Sequence, residues 1–199
     1  MKWLLTLTVG ILLWPLPANG QRTLRDMVRE RNEPINRIMI SDPAPLSFQQ
    51  LVDASDIIVR GTVASATARL SDDETMIYTD YALTNIQYIV PADAVLAPRP
   101  GMGPPPVTVT VRGGVLTLEG HQVQVLYKNL PRLPLGLDGL FFLTQRGRET
   151  HVAFDDAGVF EIREGEAVGL GTNRGPPAAV RRRPLDEMLS DIALRGERP

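Results

Sequence analysis

The chain has 199 residues, 43% of them hydrophobic, a formal net charge of −2 at pH 7 and no cysteine. This length predicts a single domain, and the near-neutral charge excludes an overall basic field that would attract nucleic acid or anionic lipid. The absence of cysteine excludes disulfides, thiol nucleophiles and cysteine-based metal sites.

The first 20 residues have the pattern of an export signal. Lys2 precedes an uncharged apolar run from Trp3 to Trp14, and Ala18-Asn19-Gly20 provides small residues for a cleavage site. The run is shorter than the about 20 apolar residues that span a bilayer. The pattern predicts a signal peptide over residues 1–20, with an uncleaved anchor as the alternative. We therefore expect an exported protein, periplasmic or secreted, with no membrane span after cleavage.

Residues 21–45 are predicted to be a flexible lead-in. Arg22 to Arg31 is strongly charged, and Leu24, Met27 and Val28 within it have helical spacing. This combination is typical of a short solvated helix or a disordered tail, because acidic residues interrupt the basic ones.

A β-domain is predicted over residues 46–168, and it begins with a short helix. Ser47 and Gln50 match a capping box, in which a hydroxyl at the N-cap is followed three residues later by a glutamine. The helix is expected from Phe48 to Ala54.

The next two segments are predicted to be long curved strands. The strand from Asp56 to Ala68 contains Gly61, and a glycine inside a strand marks a bend or a bulge. The strand from Thr75 to Val90 changes its alternation near Thr84-Asn85, which predicts a bulge there. Such devices curl a sheet into a barrel.

The later strands are shorter. Gly113-Gly114 has the composition of a two-residue hairpin between the strands on either side of it. Strands are predicted at Val107–Arg112, Val115–Leu118, Val123–Tyr127, Leu140–Thr144, His151–Phe154 and Val159–Arg163, with Leu140–Thr144 the most buried.

Two segments rich in proline or glycine are predicted to be loops. Residues 91–106 form a spacer loop, and residues 169–199 form a loop followed by a C-terminal helix. Pro184 is suited to the first turn of that helix, Leu185 to Leu194, whose apolar face is expected to dock on the β-domain. Together the elements predict an all-β fold: a small five- to six-stranded OB-like barrel, closed or partly open, with a short N-terminal helix and a C-terminal helix.

The sequence lacks the motifs of the common enzyme classes. No GxSxG, HExxH, P-loop or GxGxxG motif occurs. The carboxylates Asp56, Asp80, Asp138 and Glu161 have no spacing that selects a pair, and His121 and His151 are isolated. We predict no catalytic residue, no metal site and no cofactor.

The order of several segments resembles a family of small uncharacterised exported bacterial proteins. The segments are Ser47–Val63, Tyr78–Tyr81, Val107–Gly114, Pro131–Leu143 and Gly158–Phe160. The resemblance covers residues 46–165 and implies an OB-like barrel similar to netrin and metalloproteinase-inhibitor modules. The family brings no activity with it, and the inhibitory mechanism of those modules does not transfer, because the cysteines on which it depends are absent here.

The function expected from this architecture is a non-enzymatic exported binding module. The predicted binding face lies around Arg60, Tyr78 and Tyr88, and its partner is a protein, a peptide or a cell-envelope component, not a nucleic acid. The alternative is a small exported hydrolase that uses strand carboxylates or histidines.

Overall fold

The computed structural model describes residues 22–39, 47–90, 106–127, 132–154, 157–170 and 182–194. The predicted signal peptide and nearly all of the proline-rich loop 91–106 lie outside these ranges, as does most of the loop at 169–183. Within the described ranges, no helix is long and apolar enough to cross a membrane.

The all-β class is confirmed. The described residues form eleven strands and three helices, and the strands outnumber those predicted. In chain order the elements are α1 (Leu24–Arg31), β1 (Ile35–Met39), α2 (Phe48–Asp53), β2 (Ile57–Leu70), β3 (Ile77–Val90), β4 (Val107–Arg112), β5 (Gly114–Leu118), β6 (His121–Tyr127), β7 (Asp138–Arg146), β8 (Glu149–Val152), β9 (Val159–Arg163), β10 (Glu166–Gly169), β11 (Arg182–Pro184) and α3 (Leu185–Ala193).

Five strands of the larger sheet form a partly open barrel. That sheet has the order β11-β10-β9-β7-β2-β3-β4-β8, and β8 also pairs with β7, so the pairings from β2 through β3, β4, β8 and β7 return to β2. The joint between β4 and β8 is a single parallel pair, Thr110 with His151. This seam keeps the barrel from closing fully, as in the partly open Greek-key barrels of the OB type.

Irregular pairing curves the two long strands, as predicted. Arg60 pairs with Gln87 and Thr62 pairs with Thr84, so β3 contains one residue more than β2 over this interval. Asn85, inside the interval, has a φ of 52°. The predicted bulge at Thr84-Asn85 is therefore confirmed, and it lies beside Gly61.

The predicted hairpin at Gly113-Gly114 is wrong. β4 pairs with β3 and β8, whereas β5 pairs with β6 in a separate three-stranded sheet of order β1-β6-β5. The Gly113 N–H still donates to the Ile77 carbonyl at 2.7 Å, and its φ of 97° then turns the chain away from the barrel. These glycines form a corner between two sheets. A hairpin and such a corner both need a sharp turn, and a positive φ at glycine permits either.

The predicted boundary at residue 45 also needs correction. Residues 24–39, expected to be part of a flexible lead-in, form α1 and β1, and β1 pairs in parallel with β6 from Ile35 to Met39. Leu24 and Val28 are fully buried in a core shared with β6 and the start of β3. This segment therefore belongs to the same packed unit as the barrel.

The first part of β2 and the centre of β7 are buried on both sides. Ile57, Val59 and Val63 face the barrel interior, while Ile58 faces an outer core that α2 and α3 cover. β7 is the most buried strand, with Leu140 to Leu143 fully buried, as predicted. The capping box of α2 is confirmed, and so is the docking of α3 on the β-domain.

Candidate functional site

Arg60 is held in a cross-strand ion pair. It lies on β2, and its guanidinium donates to Asp138 on β7 through Nε at 3.2 Å and Nη2 at 2.7 Å. These hydrogen bonds, chiefly, raise the pKa of Arg60. Two parallel bonds of this kind satisfy a guanidinium well, so Arg60 stabilises the β2–β7 pairing.

Tyr88 lies on the opposite side of the sheet from Arg60. It pairs with Val59 on β2 and packs against the barrel interior. Burial raises the pKa of its hydroxyl. Because successive residues of a strand face opposite ways, Arg60 and Tyr88 do not contribute to one face.

Tyr78 lies near the other end of the β2–β3 pair. It is in register with Arg69 on β2 and with Arg112 on β4, which places these three residues in one row across the outer face. The guanidinium carbon of Arg69 is 5.3 Å from the centre of the Tyr78 ring, within the range of a cation–π contact. Of the three predicted binding residues, only Tyr78 lies in a cluster of polar groups.

We name that cluster the seam cluster: Arg69, Tyr78, Asp80, Thr110, Glu149 and His151, from β2, β3, β4 and β8. Arg69 donates through Nε to Asp80 at 2.7 Å and through Nη2 to Glu149. The bond to Asp80 is the main cause that raises the pKa of Arg69. One guanidinium thus links two carboxylates from strands on either side of the barrel seam.

The seam itself is bounded by Thr110 and His151. Thr110, 4% exposed, donates its hydroxyl to the second oxygen of Asp80 at 2.7 Å. Nε2 of His151 lies 3.0 Å from Glu149, and the His151 side chain is 12% exposed. The His151 ring also meets the Tyr78 ring edge-on, with centroids 6.3 Å apart. A continuous chain of hydrogen bonds therefore crosses the place where the barrel is open.

A cleft of about 310 Å³ opens beside this cluster. We call it the hairpin cleft, because the turn between β2 and β3 forms one wall. Asp73 accepts hydrogen bonds from the Ser71 hydroxyl and from the N–H and hydroxyl of Thr75, and these bonds lower its pKa. The lining residues are Arg69, Ser71, Asp72, Asp73, Thr75, Met76, Tyr78 and Glu149.

The cleft is rich in both hydrogen-bond donors and acceptors. Its lining includes three carboxylates and one guanidinium, together with the hydroxyls of Ser71, Thr75 and Tyr78. Among the described residues, no three His, Asp or Glu side chains come together as metal ligands. The Thr110 hydroxyl contacts Asp80 and not His151, so the pair needed for base-activated nucleophilic attack is not formed.

Tyr78 is a predicted binding residue, whereas Asp80 and His151 are isolated groups in the sequence. Arg69, Thr110 and Glu149 are not among the residues predicted from the sequence. Alternation places Tyr78 and Asp80 on one face, but Arg69 and Glu149 are separated by 80 positions and meet only through the pairing of strands.

No protein-family model matches the sequence, and no curated protein is significantly similar to it.

Proposed function

We propose that the protein is an exported, non-enzymatic binding module and that the hairpin cleft binds a hydroxyl-rich glycan of the cell envelope. The observation that carries the proposal is the hydrogen-bonded seam cluster beside a cleft lined by donors and acceptors of both signs. A polar network fixed by its own bonds presents its remaining donors and acceptors to a ligand in a set geometry.

The position of the cleft supports the proposal by analogy of fold. OB-like barrels bind oligosaccharides and oligonucleotides on the face of their second and third strands and on the adjoining loops. In this barrel those strands are β3 and β4, and the loops correspond to the turn after Leu70 and the turn after Arg146. The hairpin cleft lies between that face and the first of these turns.

The charge of the cleft favours a glycan over a nucleic acid. Asp72, Asp73 and Glu149 line it against the single guanidinium of Arg69, so the lining is net negative. A phosphate backbone needs lysine or arginine to neutralise it. Sugar hydroxyls both donate and accept, which matches carboxylates, hydroxyls and a guanidinium set side by side.

Export and family membership belong to the same proposal. Export is supported by the pattern of Lys2, the apolar run to Trp14 and the small residues before Gln21. The family of small exported bacterial proteins is supported by the order of segments between residues 46 and 165.

The alternative function, a small hydrolase, is favoured by one contact. Glu149 lies 3.0 Å from His151, the arrangement in which a carboxylate orients a catalytic imidazole. Against it, Arg69 donates to both Asp80 and Glu149, which occupies the carboxylates that would act as acid and base. The binding module therefore accounts for more of the cluster.

The proposal is tested by co-sedimentation with purified peptidoglycan and by calorimetry with soluble N-acetylglucosamine oligomers. Tyr78→Ala and Glu149→Gln should weaken binding about tenfold, because each removes a group that lines the cleft. Arg60→Gln is the matched control, since it breaks a cross-strand ion pair of similar exposure elsewhere on β2.

Absence of binding to either probe would overturn the proposal, as would equal losses in Arg60→Gln and Tyr78→Ala. Release of shortened sugar products by the wild type, abolished in His151→Gln, would instead support the hydrolase.

A further inference from the structure

A second cleft, of about 280 Å³, lies on the opposite side of β2, β3 and β4 from the seam cluster. On its barrel side it is lined by Ala68, Thr79 and Val111, which are in register with one another and one residue away from the row of Tyr78. Its other wall is the separate sheet, through Val115 of β5 and Val125 of β6. We name it the inter-sheet cleft.

The inter-sheet cleft is open because small residues line part of it. Ala66 and Ala68 line the β2 wall, and Ala66 is exposed, so the cleft opens to solvent there. Gly113 and Gly114 form the corner between the two sheets, where a Cβ on Gly114 would lie 2.6 Å from the Thr79 hydroxyl oxygen. The corner thus brings the sheets together at one end and lets them diverge towards Ala66.

The polar groups are gathered at Tyr81 and Arg132. Tyr81 is only 5% exposed, and its hydroxyl oxygen accepts a hydrogen bond from the Leu133 N–H. Burial raises the pKa of Tyr81, while that N–H and the charge of Arg132 partly offset the rise. Tyr81 and Arg132 both line the cleft, so a ligand held there can meet both side chains.

The charge of the lining has one sign. Arg112 and Arg132 are its charged residues, and no carboxylate lines the cleft among the described residues. Arg112 is in register with Tyr78, so its side chain belongs to the outer face. Arg132 is therefore the cation that faces the inter-sheet cleft.

We propose that the inter-sheet cleft is a second binding site, for a small amphipathic carboxylate whose charged end meets Arg132 and Tyr81 and whose apolar body lies against Ala66, Ala68 and Val111. A guanidinium matches a carboxylate through paired hydrogen bonds, and the alanine and valine walls match a hydrocarbon chain. A cleft of this volume lies at the small end of ligand pockets, about 300–1,000 Å³, which restricts the ligand to a short chain. This site is independent of the proposed glycan site.

The experiment is calorimetric titration of the protein with octanoate, and with octanol as a neutral ligand of the same chain length. The wild type should bind octanoate more tightly than octanol. Arg132→Gln should weaken octanoate binding about tenfold or more and leave octanol unchanged, because only the charged end contacts residue 132.

Ala66→Phe should block the mouth of the cleft and abolish binding of both ligands. Ser65→Phe is the matched control, because Ser65 is exposed on the same strand and its side chain faces away from Ala66. Unchanged urea midpoints would show that both variants fold.

Octanoate that fails to bind at millimolar concentration, or binds equally to the wild type and Arg132→Gln, overturns the proposal. Equal loss in Ser65→Phe and Ala66→Phe also overturns it. Tyr78→Ala should retain octanoate binding whether or not the glycan proposal holds, so the two proposals fail separately.

Discussion

Gly61 of β2 lies directly opposite Gly139 of β7. A Cβ on Gly139 would lie 3.1 Å from the Phe141 ring and from the Phe160 carbonyl oxygen, and a Cβ on Gly61 would lie 3.3 Å from the Thr84 carbonyl oxygen. Neighbouring groups therefore occupy the space that side chains would need at both positions. Gly61 also lies in the interval where the pairing of β2 with β3 shifts by one residue at the bulge of Asn85.

Gly61→Val should lower the free energy of unfolding by about 1–3 kcal/mol, because the added carbons would overpack against Leu83 and the Thr84 carbonyl. Urea denaturation measures the change. Thr67→Val is the control, an exposed position on the same strand, and should stay within about 0.5 kcal/mol of the wild type. An unchanged midpoint for Gly61→Val would show that the bend does not require glycine.

Thr110→Val should lower the free energy of unfolding by about 1–3 kcal/mol, because it removes the buried hydroxyl that donates to Asp80 while keeping the side-chain volume. Thr108→Val is matched to it, since Thr108 is exposed two residues earlier on the same face of β4. Thermal and urea unfolding of both variants test the prediction. Equal losses of unfolding free energy in Thr110→Val and Thr108→Val would mean that the hydrogen bond from Thr110 to Asp80 does not stabilise the fold.

Met188→Ala should lower the free energy of unfolding by about 2–5 kcal/mol, because Met188 is fully buried between α3 and the outer core. Leu194→Ala, at the exposed end of α3, should change it by less than about 0.5 kcal/mol. Denaturant unfolding distinguishes the two. A small effect of Met188→Ala would argue that α3 does not stabilise the β-domain.

Glu119→Gln should remove part of the acid sensitivity of the fold. Oε1 of Glu119 accepts from Arg25 and from Arg29, each at 3.0 Å, and the Arg25 hydrogen bond, followed by the Arg29 charge, lowers the pKa of Glu119. A carboxyl whose pKa is lowered by folding stabilises the protein above its ordinary pKa of 4.5, and that contribution is lost as the pH falls through the folded value.

The measurement is the urea midpoint of the wild type and of Glu119→Gln between pH 7 and pH 3. The wild type should have the higher urea midpoint at pH 7. The difference in midpoint between the two proteins should narrow below about pH 4.5. Glu33→Gln, an exposed position after α1, controls for loss of charge alone. A midpoint difference that stays constant with pH would contradict the conclusion that Arg25 and Arg29 lower the pKa of Glu119.

Prediction from sequence succeeded where the signal was local. The alternation around Val107–Arg112 identified β4, the phase shift at Thr84-Asn85 identified a bulge, and Ser47 with Gln50 identified the capping box. Each signal depends on residues within a few positions of one another. The prediction at Gly113-Gly114 was wrong because two glycines suit both a hairpin and a corner between sheets. Each needs a sharp turn with a positive φ, so the local signal does not distinguish them.

The candidate site was predicted only in part for the same reason. Tyr78 was predicted together with Arg60 and Tyr88 as one binding face, and strand pairing places Tyr88 on the other side of the sheet. Arg69 is brought to Tyr78 by the pairing of β2 with β3, and Glu149 is brought to both by the pairing of β8 with β4 and β7.

The sequence by itself therefore determined the all-β class, the positions of most strands and the two helices that flank the barrel strands, because hydrophobic periodicity and capping are encoded within a few residues. Only the tertiary structure decided which strand edges meet. Those pairings placed Thr110 beside His151 at the seam, brought Gly61 of β2 opposite Gly139 of β7, and put α1 and β1 in the same core as the start of β3. Contacts between residues tens of positions apart depend on the whole packed arrangement, which no short pattern encodes.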